Sequence, residues 1–418
     1  MAQLSDDCFA FGGELMRADE AAAILAQRAS TVTGTERTVL RQAGGRILAA
    51  GIVAGRNVPP HDNAAVDGYA VRFDDLAADG ATPMAIAGRA AAGHPMEGEL
   101  PRGTALRIFT GARMPDGADT VFMQEDVRLE GAQVFLPPGQ KRGANRRLAG
   151  EDIQAGRTVL RAGHRLRAQD VGLIASLGIA EIDVRRRLRV AVFSTGDELR
   201  EPGTATPAGA VYDANRFALL ALLDAAGFVA TDLGILADRP ADVREALSRA
   251  AAEHDAVITS GGMSTGEEDH VRASIEALGA IHFWRLAIRP GRPVAFGTVA
   301  GKAFVGLPGN PVAMMVTFLR FARPVLLRLA GAADTPPLSF RVRAGFDTRK
   351  KAGRREWLRA SLSRDAEGAP VAHRFPRDGA GILTSLVESD GLVELAEEVV
   401  EVKNGTLVDF LPYSELVS

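Results

Sequence analysis

Arg189-Val190-Ala191-Val192-Phe193-Ser194-Thr195-Gly196-Asp197-Glu198 is the stretch on which the fold turns. Residues 189–193 are mostly apolar, too short for a helix, and end at a polar, glycine-bearing loop, which predicts a buried strand. Downstream the periodicity switches repeatedly: a helix over 216–226, a strand over 229–236, a helix over 243–253 and a strand over 256–260. Such alternation predicts a parallel sheet. The unit closes with a strand over 303–306, the turn Pro308-Gly309-Asn310-Pro311, and an apolar helix from Val312 to about Leu329.

Open α/β sheets bind ligands beyond the carboxyl ends of their strands, where loops present free N–H groups. Three loops are therefore expected to open on one face: Ser194 to Glu198, Gly261 to Asp269, and Leu307 to Pro311. None contains the phosphate-loop or dinucleotide glycine pattern, so ordinary nucleotide hydrolysis and Rossmann redox chemistry lose their main support. They combine glycines, hydroxyls and carboxylates instead, a set suited to phosphate plus a hard cation.

Working outward, residues 18–27 read as a helix and 36–53 as a second helical stretch. Between 56 and 152 the texture becomes β-prone, with runs at 105–109 and 120–124 separated by Pro and Gly turns, and helical character returns at 167–176. This suggests a β-rich unit inserted into a helical one. After Gly331 and Pro336-Pro337 the chain is β again, and Asn404-Gly405 predicts a hairpin. The expected divisions are 12–54 with 153–186, 55–152, 187–331 and 338–418.

The 418 residues carry 49 Lys and Arg against 52 Asp and Glu, a net charge of −3 that provides no field for nucleic acid or a membrane surface. Forty-five glycines and only 6% aromatics favour turns over base-stacking platforms. The single cysteine, Cys8, makes no internal disulfide or Cys-based zinc site, which fits a reducing cytoplasm. The best apolar run, 304–319, is broken by glycine and proline, so no transmembrane helix is expected. The N-terminus, with Asp6 and Asp7 and no basic region, does not read as a secretory signal.

The acids that a cation could gather are Glu198, Asp238 and Asp269. Each has a structural alternative: Glu198 in a first helical turn, Asp238 as an N-cap before Pro240, Thr265 with Glu268 as a capping box. Convergence of three acids would need a cation or proton to offset their repulsion. Arg289-Pro290-Gly291-Arg292-Pro293 puts two guanidinium forks on a stiff turn, suited to a tetrahedral oxyanion but equally able to be solvated. Asp67 and Thr110 sit in turn-forming segments, as does Asp152. Seven scattered histidines form no metal-binding pair, and His61 and His270 read as surface or capping residues.

Read together, the segments 62–70, 110–112, 150–152, 194–199, 212–215, 260–262 with 266–269, and 306–311 resemble the molybdopterin molybdenumtransferase family, MoeA in bacteria and the gephyrin E domain in animals. The resemblance covers nearly the whole chain. It implies a multidomain α/β plus β fold: a central three-layer α/β module of molybdopterin-binding type with a parallel sheet, an inserted β-rich domain, a helical linker domain and a C-terminal β-barrel-like domain. It implies insertion of molybdate into adenylylated molybdopterin, with release of AMP, by a magnesium-dependent, cytoplasmic homodimer. The adenylyltransferase and downstream molybdoenzymes are further implied partners. Catalytic roles carry over to Asp67, Thr110, Asp152, Glu198, Asp238 and Asp269, with Glu198, Asp238 and Asp269 around the metal. Substrate contacts carry over to Ser194, Thr195, Gly196, Asp213, Gly261, Gly262, Ser264, Arg289, Arg292, Pro308, Gly309, Asn310 and Pro311. Departures are Arg289 and Arg292 where lysines are common, Ala64 and Val66 where Ser and Met are usual, and Ala313 and Ala380 where a serine is often found.

Two competing readings remain at this level. The adenylyltransferase that makes the adenylylated pterin shares the central module but lacks an insert like 55–152. A dimeric scaffold would need the fold and no chemistry.

Overall fold

The computed structural model describes residues 15–236, 239–261 and 277–417. Cys8, Asp238, Gly262, Ser264, Thr265, Glu268, Asp269 and His270 lie outside those residues.

At the centre, six strands lie in the order Val229–Leu236, Arg189–Thr195, Ala256–Ser260, Lys302–Leu307, Pro293–Val299, Gly279–Arg285. The first four run parallel, Pro293–Val299 runs against them and Gly279–Arg285 pairs antiparallel with it, so the expected parallel sheet is a mixed one. The cause is a two-residue turn at Ala300 and Gly301, with φ of 45° and 77°, whose twist matches a tight hairpin. Because Arg292-Pro293 reads as loop and Ala-Gly is a weaker hairpin signal than Asn-Gly, the strand Pro293–Val299 escaped the sequence reading.

Along Arg189–Thr195 successive side chains feed opposite layers. Val190 and Val192 pack with Leu219, Leu223, Val312 and Val316, whereas Ala191 and Phe193 pack with Val243, Leu247 and Ala250. Each fully buried Val or Phe contributes roughly 1.5–3 kcal/mol. Helix Ala214–Ala225 starts at the cap Asp213 and stops at Gly227, whose φ of 83° few other residues adopt. On the opposite face, Pro240–Glu253 opens with proline at a position where its missing N–H costs nothing. The last helix runs from Pro311 to Leu329 with a widened π turn at Phe318–Ala322. Pro324 lacks an N–H for the preceding turn and its ring crowds the carbonyl four residues back, which accounts for the widening.

The leading segment is less helical than its sequence suggested. Ala18–Arg28 is a helix that buries Ala18, Ala21 and Leu25 in the central core. The helix expected over 36–53 is replaced by strand Thr35–Val39 against Glu181–Arg185, a short 3-10 turn, and Ile52–Val53 against Thr158–Leu160. β-branched Thr35, Thr38 and Val39 favour extended backbone, and the glycines at 44, 45 and 51 disfavour a helix. Leu40, Leu48 and Ile52 share one core with Ile153, Ile174 and Val184, so chain from both sides of the insert closes on itself. Within the insert, Gly68–Val71, Thr82–Ala90, Thr104–Ile108, Thr120–Met123, Arg128–Glu130 and Gln133–Leu136 form one sheet, with a small core on each face.

The C-terminal strands Arg355–Arg364, Pro370–Arg374, Phe340–Ala344, Leu407–Pro412 and Gly391–Leu395 close into a five-stranded barrel. Asn404-Gly405 makes a turn but not the expected hairpin, because Glu401–Val402 pairs with Thr348–Arg349 while Leu407–Pro412 joins the barrel. Ile288–Arg289 of the central unit pairs in parallel with Arg355–Glu356, which stitches the barrel to the central unit. None of the described helices is long and apolar enough to cross a membrane.

Candidate functional site

Register brings the strand ends together. Ser194 is level with Ser260, Ser260 with Leu307, and Thr195 with Leu236, so the exits from these strands line one edge of the sheet. A side chain at Gly261 (φ 88°) would meet the Thr195 carbonyl oxygen at 2.8 Å, and Gly309 lies against Gly261. Three loops thus approach one another through bare backbone. Asn215 fastens them: its Nδ2 donates to Ser260 Oγ at 2.8 Å and to the Gly309 carbonyl at 2.7 Å. The buried Ser194 Oγ, Thr195 Oγ1, Thr259 Oγ1 and Asn215 Oδ1 have no hydrogen-bond partner among the described residues. Ser194 and Thr259 are fully buried, and by strand alternation Thr195 and Thr259 face the opposite layer from Ser194 and Asn215, so what the strand ends present to a ligand is chiefly loop backbone. Asn215 belongs to a motif that the sequence reading quoted without giving it a role.

Asp213, expected to touch substrate, caps the helix Ala214–Ala225. It is 2% exposed, accepts from Arg216 N at 3.1 Å and pairs with Arg216 Nε at 3.0 Å. Arg216, itself buried, also binds Asp232 and Glu201. Burial works against its charge, but the carboxylates of Asp232, Asp213 and Glu201 outweigh it and hold the guanidinium above the usual arginine range. Glu198 is exposed and folds back over Gly196, in a turn closed by Leu199 N on the Gly196 carbonyl. It is therefore not a first-turn helix residue. With Asp238 and Asp269 outside the described residues, Glu198 is the one proposed metal ligand placed here. Among the described residues no group of three or more His, Cys, Asp or Glu could hold a metal.

In the insert, Asp67 and Thr110 meet. Asp67 Oδ1 accepts from Thr110 N and from Thr110 Oγ1, both at 2.8 Å, and these bonds keep the carboxyl below the usual carboxylate range. Asp152 is exposed where the chain leaves the insert, its N–H on the Val58 carbonyl. Among the described residues, no hydrogen bond or ion pair joins Asp67, Thr110 or Asp152 to the strand-end loops.

A cavity of about 280 Å³ opens where the central unit meets the barrel. Arg289 and Arg292 line it, as expected of an anion site, together with Arg354 and Arg359, which the sequence reading missed. Arg359 is 7% exposed and held by Ser385 Oγ at 3.0 Å; desolvation pulls it below the usual arginine range. Two carboxylates oppose the four cations: buried Glu356 and half-exposed Asp378. Guanidinium groups outnumber carboxylates around the cavity, which suits a tetrahedral oxyanion. Of the departing positions, Ala64 is buried in the insert core, whereas Ala380 lines the cavity and its carbonyl accepts from Val312 N at 2.9 Å. One loop therefore touches both the cavity and the helix that follows the 308–311 turn.

Comparison with known proteins agrees with this architecture. Three family models match in order: the MoeA N-terminal region (domain I and II) over 16–178, a probable molybdopterin binding domain over 191–328, and the MoeA C-terminal region (domain IV) over 341–413. A molybdopterin molybdenumtransferase of Haemophilus influenzae is 37% identical, covering 96% of this chain and 100% of the relative. One from Nostoc is 36% identical over 90% of this chain and 89% of its own. The crystal structure of a molybdopterin biosynthesis moeA protein from Pyrococcus horikoshii superposes with a TM-score of 0.83 at 29% identity, covering 96% of this chain and 100% of that one. With a strand-end crevice, an arginine-lined cavity and full-length likeness all in place, the chain belongs to the molybdopterin molybdenumtransferase family.

Proposed function

We propose that this chain inserts molybdate into adenylylated molybdopterin, with hydrolysis of the adenylyl phosphoanhydride and release of AMP. The observation that carries the reading is the pairing of two sites through one loop. The crevice offers glycine-bearing loop backbone to a phosphate-bearing pterin; the cavity offers guanidinium forks to an oxyanion; and Ala380 and Val312 link them. The substrate brings its own dithiolene sulfurs, so no reactive cysteine is required, and a thiol-rich substrate suits a reducing cytoplasm.

Ser194, Thr195 and Gly196 would orient the nucleotide at the sheet edge, and Gly309, Asn310 and Pro311 would close over it. The all-oxygen set Glu198, Asp238 and Asp269 would fit a hard divalent cation such as Mg2+. When bound, that ion draws charge from the phosphoanhydride. Among the described residues Asp67, Thr110 and Asp152 make no hydrogen bond or ion pair with the strand-end loops; a homodimer in which each insert faces the partner's central unit would bring them to a crevice.

Single-turnover release of AMP from adenylylated molybdopterin, with and without molybdate, tests the reading. Release that accelerates with molybdate and yields molybdenum cofactor is expected. Release indifferent to molybdate sinks it, and pterin adenylylation from ATP would point to the adenylyltransferase class. A folded dimer that neither binds nor turns over the pterin would point to a scaffold.

A further inference from the structure

Two carboxylates reach the arginines of the cavity, and their settings differ. Glu356 lies in a parallel strand pair directly level with Arg289, its side chain 3% exposed. Its two oxygens are divided between two cavity arginines from different parts of the fold: Oε2 lies 3.5 Å from Arg289 Nη1, and Oε1 accepts from Arg354 Nε at 2.7 Å. It is absent from the cavity wall itself. Leaving this position would require the strand pair to part.

Asp378 sits on the cavity wall in the loop after strand Pro370–Arg374, its side chain 47% exposed. Oδ2 lies 3.4 Å from Arg289 Nη2, and Oδ1 binds Arg374. Arg374, and then Arg289 and Arg359, keep this carboxyl below the usual carboxylate range, so it is ionised at neutral pH. Released from Arg289, it would retain Arg374.

We propose that Glu356 and Asp378 act on the same arginine in opposite senses. Glu356 is a positioning residue that holds Arg289 and Arg354 toward the cavity, and Asp378 is a resident competitor that an entering oxyanion displaces from Arg289. The proposal rests on the reading of the cavity as the oxyanion site. An exposed ion pair is cheap to break, whereas a buried carboxylate shared by two guanidiniums fixes their geometry. Cavity charge and cavity shape are therefore set by different acids.

Calorimetric titration of the full chain with sodium molybdate tests this. Asp378→Asn is expected to tighten binding by roughly two- to fivefold, the scale of an exposed pair. Glu356→Gln is expected to weaken it by about tenfold or more, as when a buried charge pair loses a partner. Glu356→Asp keeps the charge, retracts the carboxylate by one bond and falls between, which preserves the test if the glutamine variant fails to fold. In turnover, Glu356→Asp should raise KM for molybdate while kcat and KM for adenylylated molybdopterin stay put, a split that general loosening would not give. If both acids move the affinity in the same direction, the proposal is overturned. Arg292→Met separates the two levels: if it leaves molybdate binding intact, the cavity reading fails. If it abolishes binding while Asp378→Asn changes nothing, the competitor role alone fails.

Discussion

The strand-end crevice and the arginine cavity are built in opposite ways. The crevice is mostly main chain and short polar groups that directly follow strands, drawn together by sheet register and by Asn215. The cavity is made of long cationic side chains brought from two units, with Arg289 separated from Glu356 by 67 residues and from Asp378 by 89. A site made from backbone is constrained by the fold and tolerates little. One made from side chains can be retuned by single substitutions.

The hardest test of that contrast is Arg216→Met. It strands Asp213, Asp232 and Glu201 without their shared cation and should cost about 3–5 kcal/mol, measured as a lower denaturant midpoint. AMP release should fall with it while molybdate affinity holds; an equal loss at the cavity would break the division between the two regions. A smaller effect is expected from Gly261→Ala, where a methyl group would meet the Thr195 carbonyl in left-handed backbone. About 1–3 kcal/mol of strain should appear as reduced AMP release with unchanged molybdate titration. Activity matching the wild type would show that the loops do not need that approach.

Smallest is the stability effect of Asp378→Asn in the free protein. The folded carboxyl titrates below its unfolded value, so its contribution is present above the unfolded carboxylate pKa and lost as pH falls through the depressed folded one. Since the group is half exposed, screening limits the effect to less than about 0.5 kcal/mol. Thermal melts of variant and wild type should differ slightly at neutral pH and coincide in acid. A difference that grows in acid would reverse the sign and refute the ion-pair account.

Legibility followed the same contrast. The strands at 189, 256 and 302 and their three loops could be read because a buried parallel strand is a continuous apolar run and its ligand loop follows it in sequence. Strand Thr35–Val39 could not, since its partner lies at Glu181–Arg185 and its neighbours imitate a helical period. Asp213 was legible as a motif, but its cap and its pair with Arg216 were not, because a cap and a ligand contact use the same residue type. Arg354 and Arg359 carried no local signal: an arginine in a turn before a strand, or on the strand itself, is ordinarily solvated.

The sequence by itself determined the alternation that makes the central sheet, the glycines that let its loops meet, and the ordered motifs that mark the family. Only the tertiary structure decided that the hairpin at Ala300-Gly301 turns the sheet mixed, that Asn215 ties two loops, and that four arginines from two units enclose one cavity. Local backbone preferences are written in neighbouring residues, whereas the field inside a cavity depends on which distant side chains burial forces together.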